Sequence, residues 1–379
     1  MYSITRYYFY LIFVKILIVY NEITFSQDQD NFGVNLNKEV IDTVTKEEIQ
    51  NAYILLWAKL LFYTSISLMS IILLYLNPYG DNFILLLLNY ILIGISGTFW
   101  AFNSAHDACH GTFSRKKWIN NLIYYLSFNM QGVSARLWQI RHLASHHLFP
   151  NVDGCDADYD HNPLIRYSPN QPIKSYMKYQ HIYSVILYSF YLFIWIYAKD
   201  FLYLNKKNLA NLRDQQYPFW YTIEFILAKL MYLTYILILP IFLLDFTAGE
   251  ILFAYSIMLM INANIFIHTL ISTHFAMETD FPSVNKDGVL PYNYSEHQLM
   301  TSLDYYPESK IANFFFGGFN AHAAHHLFPQ LPHTIYPRLT PIIKKFASKY
   351  NYRYNELTLP KAIKSHFTFL KNMGVRNNY

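Results

Sequence analysis

Eight of the fifteen histidines in this chain fall into three short clusters. The first is His106-Asp107-Ala108-Cys109-His110, the second lies in His142–His147, and the third lies in His322–His326. Fifteen histidines placed at random over 379 residues would give fewer than one adjacent pair, whereas two occur. Both pairs continue as Leu-Phe-Pro. This repetition favours metal binding, because imidazole is the commonest metal ligand among side chains.

The spacing within each cluster matches one face of a helix, where residues three or four apart are neighbours. The sets predicted to lie side by side are His106 with His110, His142 with His146, and His322 with His325 and His326. His147 would point about 100° away from His146, toward a second ion. Eight imidazoles are too many for one zinc ion, which takes four ligands, but they suit two ions. Imidazole binds zinc, copper, iron and nickel, so the residues alone leave the element open.

Several other polar residues have simpler interpretations. We expect five isolated histidines to make polar contacts and not to bind metal: His161, His181, His297, His333 and His366. The acidic run Asp153, Asp156, Asp158 and Asp160 lacks the distal glutamate of a calcium loop. We interpret it as a solvated loop that contacts some of the ligand histidines. Cys109 points off the shared helix face, and with Cys155 it is too little for a disulfide scaffold.

The composition indicates a membrane protein with a substantial part in water. Charged residues make up 14% of the chain, against about 25% in soluble domains, and aromatic residues make up 19%. These values exclude a disordered chain and disfavour an ordinary soluble enzyme. The mean hydropathy of +0.12 is too low for a simple bundle of spans. The net charge of +4 suits an anionic membrane face, and no basic block suggests nucleic acid.

Four apolar segments are long enough to cross a bilayer, which takes about 20 residues. They are 53–76, 83–105, 221–244 and 251–270. The short loops 77–81 and 245–250 have no Lys or Arg and are predicted to lie outside. A fifth apolar stretch, 182–198, has lysines on both flanks, so we predict an interfacial helix. The predicted fold is therefore an all-α integral membrane protein, with two helical hairpins and all three histidine clusters in a cap on one side.

The segments outside this region are harder to interpret. Residues 1–20 are either a targeting segment or a leader that lies on the membrane, and the polar stretch up to residue 50 is predicted to be a cytoplasmic lead-in helix. The catalytic domain is predicted to span 51–345. Residues 346–379 are basic and are expected to form a solvated or membrane-surface tail.

The motifs around the clusters resemble those of the membrane-bound fatty acid desaturases. They are His106–Gly111 with the following Phe113–Trp118, Arg141–Asn151, Asp156–Asp158, Thr273-His274-Phe275, and Gly317–Asn320 before the third cluster. The chain is most similar to the linoleoyl-CoA desaturase-like, front-end-like branch, over about residues 35 to 345. One difference is His322, which stands where many front-end members have glutamine.

This resemblance implies a di-iron centre at the cytosolic face and no catalytic residue beyond its ligands. The implied ligands are His106, His110, His142, His146, His147, His322, His325 and His326, with a ninth near the end of the fourth span. His274 is favoured for the ninth position over His268. The sequence has no His-Pro-Gly-Gly heme motif, so we expect no fused cytochrome b5 domain and a separate electron donor of the cytochrome b5 or ferredoxin type. The membrane would be the endoplasmic reticulum in a eukaryote or the inner membrane in a bacterium.

The implied reaction uses O2 and two electrons to remove two hydrogens from neighbouring carbons of an acyl chain, leaving a cis double bond. The acyl group is carried either by CoA or by a membrane lipid. Trp138 and Gln139 either face that chain or serve in packing, and Arg136, Arg141 and Arg166 would meet either CoA phosphates or lipid headgroups. One alternative is a di-iron hydroxylase that acts on a lipid, alkane or carotenoid. A metal transporter or sensor is disfavoured, because transport sites usually lie near the membrane midplane.

Overall fold

The computed structural model describes residues 23–159 and 162–375. The predicted leader, residues 1–20, lies outside the described residues, as do Asp160 and His161. The described chain is largely helical, with two short pairs of parallel strands. Strand β1 (Thr24–Phe25) pairs with β2 (Val289–Leu290), and β3 (Asp304–Tyr305) pairs with β4 (Glu356–Leu357).

Four long helices coincide with the four apolar segments, and each is long and apolar enough to cross a membrane. They are α2 (Lys46–Leu76), α3 (Phe83–Cys109), α8 (Phe219–Leu243) and α9 (Ala248–His274), and a short helix α1 (Phe32–Thr43) precedes them. Capping boxes place the starts of α2 and α9 several residues before the predicted spans. The Thr45 hydroxyl accepts from the Glu48 amide, and the Thr247 hydroxyl accepts from the Glu250 amide.

The core of the helix bundle lies where α3 packs between α2 and α9. Two glycines on α3 allow close packing of amide side chains. A Cβ at Gly94 would lie 1.8 Å from Nδ2 of Asn262, and a Cβ at Gly97 would lie 2.1 Å from Oε1 of Gln131. Any larger residue at either position would push these amides away.

Two lysines within the long helices are buried and paired. Nζ of Lys59 donates to the Asn313 carbonyl at 2.9 Å and lies 2.6 Å from Nε2 of His333. Nζ of Lys229 forms a 2.7 Å ion pair with Asp200, whose carboxylate also accepts from the backbone amide of Ser134. Both lysines therefore connect the bundle to segments outside it, at the cost of desolvation that their partners offset.

The stretch predicted as an interfacial helix is bent. Helix α6 (Ser175–Ser189) meets α7 (Tyr191–Asn205) at an angle of 64°, so the two either rest along the bilayer surface or form one broken span. Exposed apolar side chains such as Ile182 and Ile186 follow one face of α6. The interfacial position of this pair stays a prediction.

The remaining segments form a cap at the end of the bundle where α3 and α9 terminate. The helices of this cap are α4 (Lys117–Asn129), α5 (Ala135–Arg141), α10 (Tyr294–Met300), α11 (Lys310–Phe316), α12 (His322–Leu327), α13 (Tyr336–Lys349) and α14 (Leu359–Met373). Three short 3₁₀ turns lie at Ala157–Tyr159, Phe319–Ala321 and His333–Ile335.

The C-terminal segment differs from the expected tail. Helix α14 packs against α6 and α9 and buries Ala362, Phe369 and Leu370. His366 is fully buried, with Nδ1 2.7 Å from the Phe275 carbonyl oxygen and Nε2 2.8 Å from the Tyr188 hydroxyl. The prediction of a solvated or membrane-surface tail is therefore wrong for this segment, because its basic residues flank one apolar helix face.

Candidate metal centre

All nine histidines implied as ligands converge in the cap as two adjacent groups of ring nitrogens. Within each group, every contributed nitrogen lies within 4.8 Å of the others. Group A comprises His106, His110, His142, His147 and His325, and group B comprises His146, His274, His322 and His326. Residues from four distant stretches of the chain, the three clusters and the end of α9, therefore meet at one end of the bundle.

Two π-helical turns position the first two clusters. One occupies Ala101–Ala105, immediately before His106, and the other occupies His142–His146, immediately after α5. In a π-helix each amide bonds five residues back, and the His147 amide donates to the His142 carbonyl at 3.0 Å. This wider turn places His142 and His147 side by side in group A and sends His146 to group B.

The predicted neighbours therefore divide between the groups. His142 and His146 were expected to share a face, yet they belong to different groups with ring centroids 5.6 Å apart. His325 likewise belongs to group A, whereas His322 and His326 belong to group B. His146 and His147 do lie in different groups, and the prediction that these groups hold different ions stays a prediction.

The nitrogen spacing matches what a metal ion requires. Nε2 of His142 lies 3.3 Å from that of His110 and 3.0 Å from that of His147. In group B, Nε2 of His322 lies 2.7 Å from that of His274 and 3.2 Å from that of His326. With metal–nitrogen bonds of about 2.0–2.1 Å, neighbouring ligand nitrogens stand roughly 3 Å apart.

Hydrogen bonds behind the rings orient the group B ligands. Nδ1 of His146 lies 3.0 Å from the Asp156 carboxylate, and Nδ1 of His274 lies 2.9 Å from the Thr301 carbonyl oxygen. Nδ1 of His326 lies 2.8 Å from Oε1 of Gln298. Each Nδ1 must donate to its acceptor, so each Nε2 presents a lone pair to the centre of the group.

Unsatisfied nitrogens in group A also fit a metal ion. Nε2 of His106 and Nε2 of His325 are buried and have no hydrogen-bond partner in the part of the chain that the structure describes. Buried polar atoms are nearly always satisfied, so such orphans need an explanation. A cation bound among the five rings would supply the missing partner.

The charge state of the rings suits metal binding. Burial lowers the pKa of His110 to about 4 and holds those of His142, His147, His322, His325 and His326 well below the usual value. Neutral imidazole is the form that ligates metal. Burial alone would also lower the pKa of His146, but the adjacent Asp156 carboxylate raises it.

Asp107, between two group A histidines, anchors the first cluster to the cap. Its carboxylate bonds both the backbone amide and Nδ1 of His333. His333 in turn contacts Lys59 of α2. His333 makes the polar contacts predicted for it, but the sequence indicated no role for its partners Asp107 and Lys59. The one sequence feature that could have indicated this contact network was Lys59, a lysine inside an apolar span.

The structure also places the residues outside the two groups. The His268 ring is 6.0 Å from the rings of Tyr188 and Phe367 and belongs to neither group. The acidic loop contacts the histidines as predicted: Asp156 contacts His146, and Oδ2 of Asp158 lies 3.6 Å from Nδ1 of His142. The prediction that this loop is solvated is wrong, because Asp156 is 3% exposed and its neighbours are buried. Asp153 instead bonds Ser168, Gln171 and Tyr159.

Two of the three arginines considered for phosphate binding make their contacts within the protein. Arg166 donates to the carbonyls of Gln171 and Met373 at 2.6 and 2.8 Å. Arg141 is buried, with its guanidinium 4.5 Å from the ring centroid of Tyr203. Neither guanidinium is directed at solvent.

An apolar cavity of about 640 Å³, including the space at its opening, lies among α3, α8 and α9. We call it the chamber. Its lining includes Phe102 and Phe128. Phe128 stacks on Trp138 with centroids 5.1 Å apart, and Trp138 stacks on His142 at 4.1 Å. Two stacked aromatic rings, Phe128 and Trp138, therefore lie between the chamber and His142 of group A.

The sequence is similar to known enzymes over most of this region. A family model described as fatty acid desaturase matches residues 82–358, which include all nine histidines. The sn-1 linoleoyl-lipid 6-desaturase of Arthrospira platensis is 28% identical over 292 residues, covering 76% of this chain and 78% of that protein. Two Dictyostelium discoideum proteins each match 80% of this chain and 68% of their own length. They are acyl-lipid (8-3)-desaturase B, at 29% identity, and probable Delta(5) fatty acid desaturase C, at 30% identity.

Proposed function

The chain belongs to the fatty acid desaturase family and is a multi-pass membrane enzyme, and we propose that it desaturates an acyl chain carried by a membrane lipid at a di-iron centre. The observation that carries the di-iron proposal is the convergence of nine imidazoles into two groups. Relatives named as linoleoyl-lipid and acyl-lipid desaturases support a lipid-linked acyl group over a CoA thioester.

We assign one iron to each nitrogen group. His106, His110, His142, His147 and His325 would hold the first, and His146, His274, His322 and His326 would hold the second. When bound, the irons would supply the dioxygen activation that a saturated C–H bond requires, because such a bond offers no acid, base or nucleophile handle to a side chain. His274 is favoured over His268 because its ring lies within group B.

The residues around the centre would position the substrate and exclude water. The apolar chamber would hold the acyl chain, with its aromatic wall facing group A. The stacked Trp138 would keep the His142 ring in place. Exclusion of bulk water protects reactive species from side reactions.

We place the active site on the cytoplasmic face. The loops 77–81 and 245–250 at the opposite end of the bundle have no Lys or Arg, whereas the cap has many. Two electrons would come from a separate donor protein of the cytochrome b5 or ferredoxin type. The membrane would be that of the endoplasmic reticulum in a eukaryotic cell, or the inner membrane in a bacterium.

The direct test is expression in yeast that lacks acyl desaturases and is supplied with linoleic acid, followed by gas chromatography of its fatty acids. A new alkene without added oxygen supports the proposal, and an alcohol would support the hydroxylase alternative instead. His325→Ala and His274→Ala should abolish the product. His268→Ala is the matched control and should retain it; a retained product in His274→Ala with loss in His268→Ala would reverse the assignment of the ninth ligand.

A further inference from the structure

Two easily oxidised rings contact the histidines of groups A and B. Trp138 stacks on His142, with ring centroids 4.1 Å apart and an interplanar angle of 16°. Tyr336 lies 6.3 Å from the ring of His325. Indole and phenol lose an electron more readily than the side chains of phenylalanine or histidine. A strong oxidant formed among the nine histidines would therefore meet Trp138 or Tyr336 first.

The two rings differ in what lies beyond them. Tyr336 is buried and has no further ring contact among the described residues. Trp138 is followed by Tyr124 at 6.3 Å and then by Tyr125, whose ring lies 5.5 Å from that of Tyr124. Tyr124 is fully buried, whereas Tyr125 is partly exposed. We call Trp138, Tyr124 and Tyr125 the ring chain, and it leads from group A to the surface of the cap.

The hydroxyl groups of the ring chain decide where a radical would come to rest, because a tyrosine that loses an electron also releases its phenol proton. The Tyr124 hydroxyl is buried and donates to the Ala135 carbonyl, which is too weak a base to take that proton. The Tyr125 hydroxyl accepts from Nε of Arg136 at 3.4 Å, and its own O–H has no acceptor among the described residues. Water can therefore take the proton of Tyr125, and Tyr124 serves as the bridge between the other two rings.

The electron balance of the proposed reaction shows when such a route is needed. Reduction of one O2 molecule to two water molecules takes four electrons. In desaturation, two come from the donor protein and two come from the acyl chain together with its two protons. If O2 is reduced while no acyl chain is bound, two electrons are missing. Exclusion of water limits other side reactions but does not supply these electrons.

We propose that the ring chain carries the two missing electrons, one at a time, from a soluble thiol to the site of O2 reduction and so protects the ligand histidines from oxidation. This inference rests on the proposed di-iron function. Trp138 gives up an electron and is reduced again by Tyr125 through Tyr124, while the phenol proton of Tyr125 passes to water. A thiol then returns a hydrogen atom to Tyr125. After two such rounds the two thiyl radicals join as a disulfide, so two thiols have supplied the two electrons and two protons that the acyl chain would have given.

The test locates the radical and does not measure product. The purified full chain is loaded with iron and reduced without oxygen, in a steroid detergent that offers no acyl chain. It is then mixed with oxygenated buffer that contains a nitroso spin trap, and the trapped residue is identified by peptide mass spectrometry. We expect the label on Tyr125 in the wild-type chain, and its loss when glutathione is present. Tyr125→Phe should move the label to Trp138. Trp138→Phe should lose the label on Tyr125 and instead gain oxygen on His142.

Controls separate this route from general damage. Trp138→Phe keeps a ring on His142 and should bind as much iron as the wild-type chain before oxygen is added. Tyr179→Phe and Trp118→Phe remove rings that are 54% and 62% exposed and lie outside the ring chain, so the label should stay on Tyr125. Zinc in place of iron has no redox chemistry and should give no label.

Three results would overturn the inference: a wild-type chain without label on Tyr125, an unchanged label on Tyr125 in Trp138→Phe, or the same label with zinc. The yeast assay keeps this test separate from that of the proposed function. A chain that forms the alkene but leaves Tyr125 unlabelled would refute the ring chain alone. A chain that labels Tyr125 through Trp138 but forms no alkene would refute the desaturation and leave the ring chain standing.

Discussion

Asp156→Asn should weaken iron binding without removing any ligand. Oδ2 of Asp156 lies 3.0 Å from Nδ1 of His146 and also accepts from the Asn151 amide, while Oδ1 accepts from the Asp158 amide. All three partners donate. Asparagine offers one acceptor oxygen and one NH2 group, so at least one donor must then face another donor.

The expected loss follows from the role of such partners at metal sites. Removing a carboxylate behind a ligand histidine typically lowers metal affinity or activity roughly 10- to 100-fold, equivalent to about 1.4–2.7 kcal/mol. The loss of negative charge adds to the loss of orientation, because the Asp156 carboxylate is what raises the pKa of His146 despite its burial. His146 would become a less basic ligand.

The assay is iron content per chain, measured by mass spectrometry on protein purified from cells grown at limiting iron, together with product formation in yeast. Asp153→Asn is the matched control, because Asp153 lies in the same loop but contacts Ser168 and Tyr159. Asp156→Asn should lose iron and product, whereas Asp153→Asn should retain both. Full iron occupancy and full activity in Asp156→Asn would refute the assignment of His146 as an oriented ligand.

Three further substitutions test the surroundings of the site. Lys59→Met removes the partner of the buried His333 Nε2 and a donor to the Asn313 carbonyl, and it should lower the free energy of unfolding by about 3 kcal/mol, read as a lower melting temperature. Gly317→Ala should cost about as much, because Gly317 has φ of 60° and a Cβ there would lie 2.3 Å from the Phe102 carbonyl oxygen. Burial lowers the pKa of His366 from 6.5 to about 4. The neutral ring therefore makes its full contribution to stability above pH 6.5. About 3 kcal/mol of the free energy of unfolding is lost as the pH falls from 6.5 toward 4, so the melting temperature of His366→Gln should depend less on pH.

Matched variants sharpen these comparisons. Lys46→Met replaces an exposed lysine of the same helix and should change the melting temperature little. Gly80→Ala faces open space at φ of 56° and should cost about 1 kcal/mol, so an equal loss at both glycines would contradict the close contact at Gly317. An unchanged pH dependence in His366→Gln would contradict a buried neutral imidazole.

The sequence predicted the spans and the identity of the clustered histidines because these features are local. A continuous apolar run of about 20 residues and a repeated His-His-Leu-Phe-Pro pattern can be recognised without knowledge of distant contacts. The assignment of each ring to a group could not be predicted. It depends on the π-helical turn at His142–His146, which changes the periodicity from that of an α-helix.

Apart from Asp156, which belongs to the acidic loop predicted to contact the histidines, the partners behind the rings could not be predicted, because they are distant in sequence. Gln298 and Thr301 lie on and just after α10, more than 20 residues from the rings they orient. Asp107 lies 226 residues from His333. The C-terminal helix α14 was missed for a different reason: its positive charges suggested a tail, whereas its apolar residues recur on one helical face and pack on α6 and α9.

The central claim is that the two nitrogen groups each hold one iron ion. An anomalous difference map recorded at the iron absorption edge, from crystals of the purified active protein, tests it most directly. The account predicts two peaks, one among the nitrogens of group A and one among those of group B. A single peak, or peaks away from both groups, would contradict it.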